Sequence, residues 1–344
     1  MVGRYSATEH HTILITGGCG FIGSHLVEAL HRVTKWDIVI IDKLGEGSYG
    51  LERIRDACLL DSRRIRVFTC DLAAAPFTSG LVKELGRVEM IVHLAAESHV
   101  DRSISDPVEC VKNNIMATMH LLEYCRRCPS LGVVVGFSTD EVHGVAPPGV
   151  AYKETDRHLP GNPYSSSKSS SEQLFLAFAN TYNVPVILTR MVNAMGQRQE
   201  PLKFVPLCIR QVRDGEKILI HADKTGLIPG SRFYIHARNV ADAVVFILHN
   251  GEIGETYNIA TGDEVDNLDM AQRIADIMGM TFDYELVNFH ENRPGHDQRY
   301  SLDGSKLREL GWTPSEDFNL ALRKTVEWTL ANPRWLEPMD ETHL

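Results

Sequence analysis

The chain has 344 residues and a formal net charge of −10 at pH 7, with 43% hydrophobic and 23% charged residues. It can bury a large core as one large or two modest domains, and its acidic balance disfavours non-specific nucleic-acid binding. No apolar run reaches the roughly 20 residues that span a bilayer, and residues 1–11 lack the apolar core of a signal peptide, so we expect a cytoplasmic protein without nucleic-acid or membrane partners.

Short Val- and Ile-rich runs alternate with amphipathic stretches over the first two thirds of the chain. The first such run, 12–16, is followed by a helical pattern over 22–31. Further predicted strands cover 37–42, 66–70, 89–94, 132–137 and 184–189. Near-continuous apolar strands separated by helices indicate a parallel sheet covered on both faces. The prediction is an α/β fold with a Rossmann-type doubly wound parallel sheet.

The composition and the pattern of predicted elements change after about residue 190. Glycines, prolines and short elements dominate 193–236. Predicted elements then follow as helices over 240–249 and 268–278, a strand over 256–260 and a charged loop over 288–299. We predict a Rossmann domain over 1–190, joined by part of 236–262. A smaller α/β C-terminal substrate lobe, mainly 191–344, is predicted to close over a cleft.

The loop Thr16-Gly17-Gly18-Cys19-Gly20-Phe21-Ile22-Gly23 between a strand and a helix predicts a dinucleotide site. Its glycines let backbone approach a pyrophosphate, and the helix N-terminus supplies unpaired N–H groups. Asp42 ends the next strand about 20 residues later, where a carboxylate binds ribose hydroxyls and repels a 2′-phosphate. NAD is therefore preferred over NADP, although the neighbouring Lys43 can weaken that preference. Asp71-Leu72 can reach the adenine, or Asp71 can simply cap a strand end.

Cysteine usage indicates a reducing compartment. The seven cysteines are scattered along the chain. The C-x-x-C of Cys125 and Cys128 lacks a second pair and ends a helical pattern, which favours plain thiols over metal or redox use. We predict no metal site.

Tyr164 and Lys168 form a pair that suits alcohol oxidation with a nicotinamide cofactor. They lie one helical turn apart on one face, after the fifth strand. Free tyrosine has a pKa near 10, so an ammonium and a positive nicotinamide are expected to lower it.

Ser138-Thr139-Asp140-Glu141 leaves the carboxyl end of the fifth strand, where open α/β sheets bind ligands. Two neighbouring carboxyls suppress each other's ionisation, so one can stay protonated. That division suits water elimination, although carboxyls also cap strand ends without any catalytic role. Combined with Tyr164 and Lys168, the pair favours an enzyme that oxidises a sugar, eliminates water and returns the hydride, with no net redox change.

With these motifs the chain resembles the extended short-chain dehydrogenase/reductases. Among them it is similar to the nucleoside-diphosphate-glucose 4,6-dehydratases, of which the dTDP-glucose enzymes are the best known. The resemblance spans about residues 12 to 313. Besides the motifs above, it rests on the run from His93 to Ile104, on Asn193 to Pro206 and on Arg293 to Tyr300. The acid pair is specific, because sister epimerases and decarboxylases usually lack it.

The resemblance implies a role for each catalytic residue. Tyr164, assisted by Lys168 and Thr139, takes the proton of the sugar 4-hydroxyl while NAD accepts the C4 hydride. Glu141 then removes the C5 proton, and Asp140 protonates the departing 6-hydroxyl. The hydride returns to C6, which yields a 4-keto-6-deoxy sugar.

The expected binding residues fall into two sets. The cofactor set is Gly17, Gly20, Phe21, Ile22, Gly23, Asp42, Lys43, Asp71, Leu72, Leu94, Ala95, Ala96, Tyr164 and Lys168. The resemblance implies a substrate set of Ser98, His99, Asp101, Arg102, Asn193, Lys203, Arg232, Arg293 and His296. Arginine suits a diphosphate through forked, charge-assisted hydrogen bonds, although Arg232 can also be a surface arginine in a weak salt bridge.

Departures from the family pattern cluster around the expected substrate pocket. His143 stands where tyrosine is usual, Leu202 replaces a glutamate, and 231–234 reads Ser-Arg-Phe-Tyr after a long 223–230 loop. His143 can retune the site or merely change a packing contact. The substrate is expected to be dTDP-glucose, with UDP-glucose or another nucleotide sugar as the alternative. A UDP-sugar 4-epimerase or decarboxylase is the rival activity.

Relatives of this kind are usually homodimers that pack two helices per subunit into a four-helix bundle. Here those helices are predicted at about 108–127 and 164–182. Their candidate apolar face consists of Met116, Met119, Leu121, Leu122, Phe175, Leu176 and Phe178. The same side chains can equally be internal core.

Overall fold

The computed structural model describes residues 4–45, 49–262, 264–288 and 298–337. Its strands are β1 Thr12–Thr16, β2 Asp37–Asp42, β3 Ile65–Thr69, β4 Met90–His93, β5 Val133–Thr139, β6 Val186–Met191, β7 Asn193–Met195, β8 Ile218–Ala222, β9 Ser231–His236, β10 Thr256–Ile259, β11 Glu264–Asp266 and β12 Tyr284–Asn288. Its helices are α1 Phe21–Val33, α2 Glu52–Asp56, α3 Ser79–Leu85, α4 Val100–Ser105, α5 Pro107–Cys125, α6 Pro163–Tyr182, α7 Phe204–Asp214, α8 Ala237–Asn250, α9 Asn267–Met278, α10 Ser305–Leu310 and α11 Phe318–Ala331. Short 3-10 turns cover Asp140–His143 and Pro333–Trp335. Over the described ranges, no helix has the length and apolarity to cross a bilayer.

A seven-stranded sheet with the order β10-β6-β5-β4-β1-β2-β3 forms the centre of the molecule. Every neighbouring pair in it is parallel. The chain moves outward from β1 to β3 and then returns to β4 on the other side of β1, so the strand order reverses between β1 and β4. Open sheets of this type bind ligands beside that switch point, at the carboxyl ends of the strands. The predicted doubly wound α/β fold is confirmed.

Alternation along the strands explains why both faces of this sheet are covered. In β1, Ile13 and Ile15 join the apolar core that includes α1 and α8, whereas Leu14 joins the core that includes α5 and α6. Successive strand side chains point to opposite faces, and each face here meets a helix layer. The strands therefore read as continuous apolar runs, as they do in buried parallel sheets.

Helices α5 and α6 pack on each other over one face of the sheet. Leu121, Leu122, Phe175 and Phe178 are buried in the chain's own core. For these four side chains the internal-core interpretation holds, and they are not available as a dimer face. Leu176 differs, with 42% of its surface exposed.

Segments from Asn193 onward build a smaller lobe with its own core. It contains the sheet β11-β9-β7 and the parallel pair β12-β8, packed with α7, α9 and α11. Strand β10 is different, because it leaves this part of the chain and pairs with β6 of the central sheet. The division into 1–190 and 191–344 stays a prediction.

Two features of the strands differ from the sequence prediction. Strand β5 runs on to Thr139, because its last two residues pair with Arg190 and Met191 of β6. The stretch 193–236, predicted only as short elements, contains β7, α7, β8 and β9. The charged loop predicted over 288–299 lies largely outside the described residues.

The C-terminal segment clasps helix α2 beside the glycine loop. Trp335 is 2% exposed, and its Nε1 donates to Asp56 Oδ2 at 2.8 Å. Its ring lies 4.8 Å from that of Tyr49 and 5.4 Å from the guanidinium of Arg53. Arg53 in turn donates to the Cys19 carbonyl of the glycine loop at 3.4 Å. The segment therefore fixes the wall next to the first βα turn.

We expect Trp335→Ala to lower the free energy of unfolding by about 3–5 kcal/mol, the usual cost of truncating a buried tryptophan. Urea unfolding measures the change. Leu227→Ala is the control, since Leu227 is 74% exposed and its loss should cost less than about 0.5 kcal/mol. Equal stability of the two variants would contradict the clasp.

Candidate active site

A cleft of about 1080 Å³ opens at the carboxyl ends of β1, β4, β5 and β6, between the central sheet and the smaller lobe. All five predicted catalytic residues line it. So do the predicted cofactor and substrate residues Gly17, Gly20, Phe21, Ile22, Gly23, Asp42, Lys43, Asp71, Leu72, Leu94, Ala95, Ala96, Ser98, His99, Asp101, Asn193, Lys203 and Arg232. Arg102 does not line the cleft and lies 3.9 Å from the Glu97 carboxylate. Arg293 and His296 lie outside the described residues.

The glycine loop is shaped as a cradle that side chains would fill. Gly17 has φ +71°, and a Cβ there would lie 2.7 Å from the Ala95 nitrogen. At Gly23 a Cβ would lie 2.2 Å from the Gly17 carbonyl oxygen, so this glycine lets α1 start close to β1. No side chain caps the start of α1 at Gly20. The first-turn N–H groups therefore remain available for a phosphate, as a dinucleotide site requires.

Asp42 ties the end of β2 to the glycine loop. One carboxylate oxygen accepts the Cys19 N–H at 3.0 Å and the other accepts the Leu44 N–H at 2.9 Å. Burial raises the pKa of this carboxyl, while those two backbone hydrogen bonds oppose the rise. Each carboxylate oxygen can accept more than one hydrogen bond, so Asp42 keeps capacity for a ribose hydroxyl.

Two further predicted cofactor residues, Lys43 and Asp71, each have a hydrogen-bond partner within the protein. Lys43 Nζ donates to Asn113 Oδ1 at 3.1 Å. Asp71 Oδ1 accepts the Ala73 N–H at 2.8 Å, which is the turn-capping contact that the sequence left open. Because Asp71 also lines the cleft, capping and adenine contact are compatible.

The end of β5 turns Asp140 into a buried acid. Thr139 Oγ1 donates to Asp140 Oδ1 at 3.0 Å and accepts the Glu141 N–H at 3.3 Å, which starts the 3-10 turn. Asp140 is 3% exposed, and its Oδ2 has no hydrogen-bond partner among the described residues. Burial, followed by the charge of Glu141, raises the pKa of Asp140 to about 7. A carboxyl in this state can hold a proton for a ligand at neutral pH.

Glu141 is held by two residues that sequence reasoning did not assign to the site. Its Oε2 accepts from Asn162 Nδ2 at 3.2 Å and from the Tyr300 hydroxyl at 3.3 Å. Asn162 is also the N-cap of α6, in a capping box with Ser165. An Asn-Pro pair before a helical pattern is a start signal, so the cap was readable from sequence, but its contact with Glu141 was not.

Tyr164 and Lys168 sit on the first turns of α6, both buried. Burial lowers the pKa of Lys168 to about 8. Burial and the charges of Glu141 and Asp140 raise the pKa of Tyr164, while a hydrogen bond with Thr139 lowers it. The direction for Tyr164 in the protein alone is thus opposite to the expected lowering. A phenolate here needs positive charge brought by a ligand.

The substrate side of the cleft presents polar groups from both lobes. Asn193 Nδ2 is buried without a hydrogen-bond partner among the described residues. Arg232 is 8% exposed, with its guanidinium 4.7 Å above the Tyr300 ring and its Nη1 donating to two backbone carbonyls. Arg232 is therefore not the surface arginine that the sequence also allowed. Lys203 Nζ donates to the Ser98 carbonyl at 3.1 Å.

Glu200 is a cleft residue that the sequence analysis missed. Its Oε2 lies 2.6 Å from His99 Nε2, and both side chains are largely buried. Burial opposes ionisation of Glu200, but the hydrogen bond and charge of His99, with the charges of Lys203 and Arg53, lower its pKa. The absence of the expected glutamate at Leu202 was visible in the sequence; that a carboxylate two residues earlier enters the cleft was not.

Comparisons with known proteins place the chain in a family. The model of the GDP-mannose 4,6 dehydratase family matches residues 14–325. The chain belongs to this family. A dTDP-glucose 4,6-dehydratase of Salmonella typhimurium is 36% identical over 347 residues, with 94% of each chain covered. The predicted resemblance to dehydratases of this type is confirmed.

Two further comparisons extend this result. A trifunctional UDP-glucose 4,6-dehydratase/UDP-4-keto-6-deoxy-D-glucose 3,5-epimerase/UDP-4-keto-L-rhamnose-reductase of Arabidopsis thaliana is 37% identical over 326 residues. That match covers 94% of this chain and 48% of the other, so the chain spans about half the length of that relative. The crystal structure of a dTDP-glucose 4,6-dehydratase from Streptomyces venezuelae with NAD bound has a TM-score of 0.85 and 34% identity, covering 96% of this chain and 100% of that one.

The raised pKa of Asp140 predicts a pH-dependent stability in this dehydratase-family protein. The ordinary pKa of this carboxyl is 3.8 and its pKa in the folded protein is about 7. At pH values between these two, the folded protein holds a proton that the unfolded chain releases. This contribution is complete below the lower value and is lost as pH rises through the upper one. We therefore expect the unfolding free energy to fall, relative to that of Asp140→Asn, as pH rises from about 4 to 7. Urea unfolding of both proteins at each pH measures it, and a constant difference would contradict the burial argument.

Proposed function

We propose that the protein is an NAD-dependent nucleoside-diphosphate-hexose 4,6-dehydratase, a hydro-lyase. The observation that carries this proposal is the pairing of Asp140, a buried carboxyl that can hold a proton at neutral pH, with Glu141 in the same cleft as Tyr164 and Lys168. Tyrosine and lysine serve alcohol oxidation. An acid next to a base is the further requirement of water elimination.

The cofactor half of the cleft fits NAD. The Gly17–Gly23 cradle and the start of α1 would hold the pyrophosphate, and Asp42 the adenosine ribose. Asp71 and Leu72 would face the adenine, with Leu94, Ala95 and Ala96 along the nicotinamide side. When bound, NAD accepts the C4 hydride, returns it to C6 and adds a positive ring beside Tyr164. NAD in the Streptomyces venezuelae relative supports this assignment.

Oxidation at C4 begins with Tyr164 acting as base. The Thr139 hydroxyl, which donates to Asp140 in the protein alone, favours the ionised form of Tyr164 when it turns to donate to the phenolate. Lys168, one turn further along α6, carries the ammonium that stabilises the phenolate once the proton has moved. Because burial opposes phenolate formation in the protein alone, deprotonation is coupled to arrival of the cofactor's positive charge.

Elimination is assigned to the acid pair. The ketone at C4 acidifies the C5 proton, which Glu141 removes, while Asp140 gives its proton to the departing 6-hydroxyl. When the hydride adds at C6, Glu141 returns a proton to C5, and Asp140 is reprotonated from water. Asn162 and Tyr300 both donate to Glu141 Oε2, which holds the carboxylate in place. Asp140 Oδ2, buried without a partner among the described residues, is the oxygen available to the leaving group.

The substrate is a nucleoside-diphosphate hexose, most simply dTDP-glucose. Asn193, Arg232, Lys203 and His99 are proposed to bind its diphosphate and sugar, together with Ser98, Asp101, Arg293 and His296. Arg102, expected from the sequence to join them, lies outside the cleft lining and is left out of this set. The named relatives carry either dTDP-glucose or UDP-glucose in their descriptions, so UDP-glucose is the first alternative. A 4-epimerase or decarboxylase is disfavoured, because neither reaction uses an acid and a base beside the Tyr–Lys pair.

Assembly and location are part of the same proposal. A homodimer through α5 and α6 would have to use their outer surface, where Val108, Leu176 and Tyr182 are exposed. All seven cysteines are free thiols, which is in keeping with a reducing cytoplasm. The proposal also includes an NAD-binding lobe over residues 1–190 and a second lobe, mainly 191–344, that supplies most of the nucleotide-sugar contacts.

Incubation of the purified protein with NAD and, separately, dTDP-glucose, UDP-glucose and GDP-mannose tests the function. Mass spectrometry should detect the loss of one water from one of these sugars, with no net NADH. An unchanged mass with a new C4 isomer would indicate an epimerase instead. UDP-glucuronate is included as a fourth substrate, and loss of carbon dioxide from it would indicate a decarboxylase.

We expect Glu141→Gln to oxidise C4 but not to eliminate water, because the amide cannot take the C5 proton. Bound NADH should therefore accumulate, visible as near-ultraviolet absorbance. Glu109→Gln, on the exposed start of α5, serves as the control and should turn over normally. Normal turnover by Glu141→Gln would remove Glu141 from the role of base.

A further inference from the structure

A buried guanidinium, that of Arg190, lies next to the 3-10 turn Asp140–His143 and outside the cleft lining. All of its N–H groups donate hydrogen bonds. Arg190 of β6 is 4% exposed. Its Nε and Nη2 donate to the Glu172 carboxylate of α6 at 3.1 and 2.8 Å. Its remaining N–H groups point to His143 Nε2 at 3.3 Å, His158 Nε2 at 3.0 Å and the Glu154 carbonyl at 3.0 Å. These contacts use all five donors of the arginine, so the group is a fixed hub.

The hub sets the tautomers of both histidines. Arginine can only donate, so Nε2 of each imidazole must accept and each Nδ1 must carry the proton. That proton then goes from His143 to the Arg157 carbonyl at 3.1 Å, and from His158 to Ser169 Oγ at 2.8 Å. Burial, together with the charges of Arg190 and His158, lowers the pKa of His143 to about 4, while the hydrogen bond to the Arg157 backbone and the charge of Glu172 act in the opposite direction. The neutral form that this geometry requires is therefore the stable one at neutral pH.

The groups joined by the hub carry the two halves of the catalytic set. His143 ends the 3-10 turn that begins with Asp140. Glu172 lies on α6, the helix of Tyr164 and Lys168. The segment 154–162 runs between them and contributes a hydrogen bond from Leu159 N–H to the Val142 carbonyl at 2.9 Å. It ends at Asn162, which both caps α6 and donates to Glu141.

We propose that Arg190 and His143 are positioning residues that set the separation between the Asp140–Glu141 pair and the Tyr164–Lys168 pair. Neither lines the cleft, so neither touches the substrate. The hydrogen bonds of Arg190 keep Asp140 and Glu141 at a fixed position relative to α6 during both the oxidation and the elimination step. His143, which stands where the family pattern has tyrosine, supplies an acceptor to Arg190 and a donor to the 154–162 segment. This inference rests on the proposed dehydratase function.

A matched pair of substitutions separates positioning from packing. His143→Gln keeps an acceptor near the place of Nε2, whereas His143→Met has similar length and no hydrogen-bonding group of comparable strength. For His143→Met we expect kcat for water loss to fall at least about tenfold, because small misplacements of catalytic groups have effects of that size. KM should stay within about twofold, because the substrate contacts are intact. The fraction of enzyme holding NADH during turnover should rise, since the oxidising pair Tyr164 and Lys168 stays in place on α6, whereas elimination also needs Asp140 and Glu141, which lie on the same short turn as residue 143.

His143→Gln is expected to recover most of kcat and to return the NADH fraction to that of the wild type. His31→Met is the control: His31 hydrogen-bonds Ser62 at the far end of α1 and should leave both quantities unchanged. Thermal unfolding of all four proteins monitors folding. If the Met and Gln variants lose activity equally, or if the NADH fraction does not rise in His143→Met, the positioning role is wrong. If the wild-type protein itself removes no water from any nucleotide sugar, the proposed function fails instead.

Discussion

Removal of water from around Asp140, Tyr164 and Lys168 is the constraint on which the rest of the structure depends. Burial favours the neutral form of each side chain. It raises the pKa of Asp140 and of Tyr164 and lowers the pKa of Lys168. Such groups are costly to bury, and they can be tolerated only where a stiff frame holds them and a ligand completes them. The same burial gives an acid that keeps its proton at neutral pH and a phenol that ionises only when positive charge arrives.

The frame that holds them is distributed over both lobes. The switch point between β1 and β4 opens the crevice, and the extra length of β5 carries Thr139 to its rim. Tyr300, from the C-terminal third of the chain, donates a hydrogen bond to the Glu141 carboxylate. Fold alone does not separate a dehydratase from an epimerase on this scaffold; the separation lies in what stands beside the Tyr–Lys pair.

Much of this arrangement was predictable from sequence, because local patterns specify it. The alternating sheet strands, the glycine loop before α1 and the one-turn spacing of Tyr164 and Lys168 each depend on residues that are close in the chain. The contacts of Glu141 with Asn162 and Tyr300, of His99 with Glu200 and of His143 with Arg190 join distant segments. No periodicity predicts them. The upward pKa of Tyr164 was also missed, since it follows from burial in the folded protein and not from its neighbour on the helix.

The central claim is that one hydride leaves C4 and returns to C6 of the same sugar while water is lost between C5 and C6. The most direct test is turnover of a nucleoside-diphosphate glucose carrying deuterium at C4, with the product analysed by NMR. The account predicts deuterium at C6 of the 4-keto-6-deoxy product. Deuterium that remains at C4 of an epimerised sugar, or that accumulates in free reduced cofactor, would contradict it.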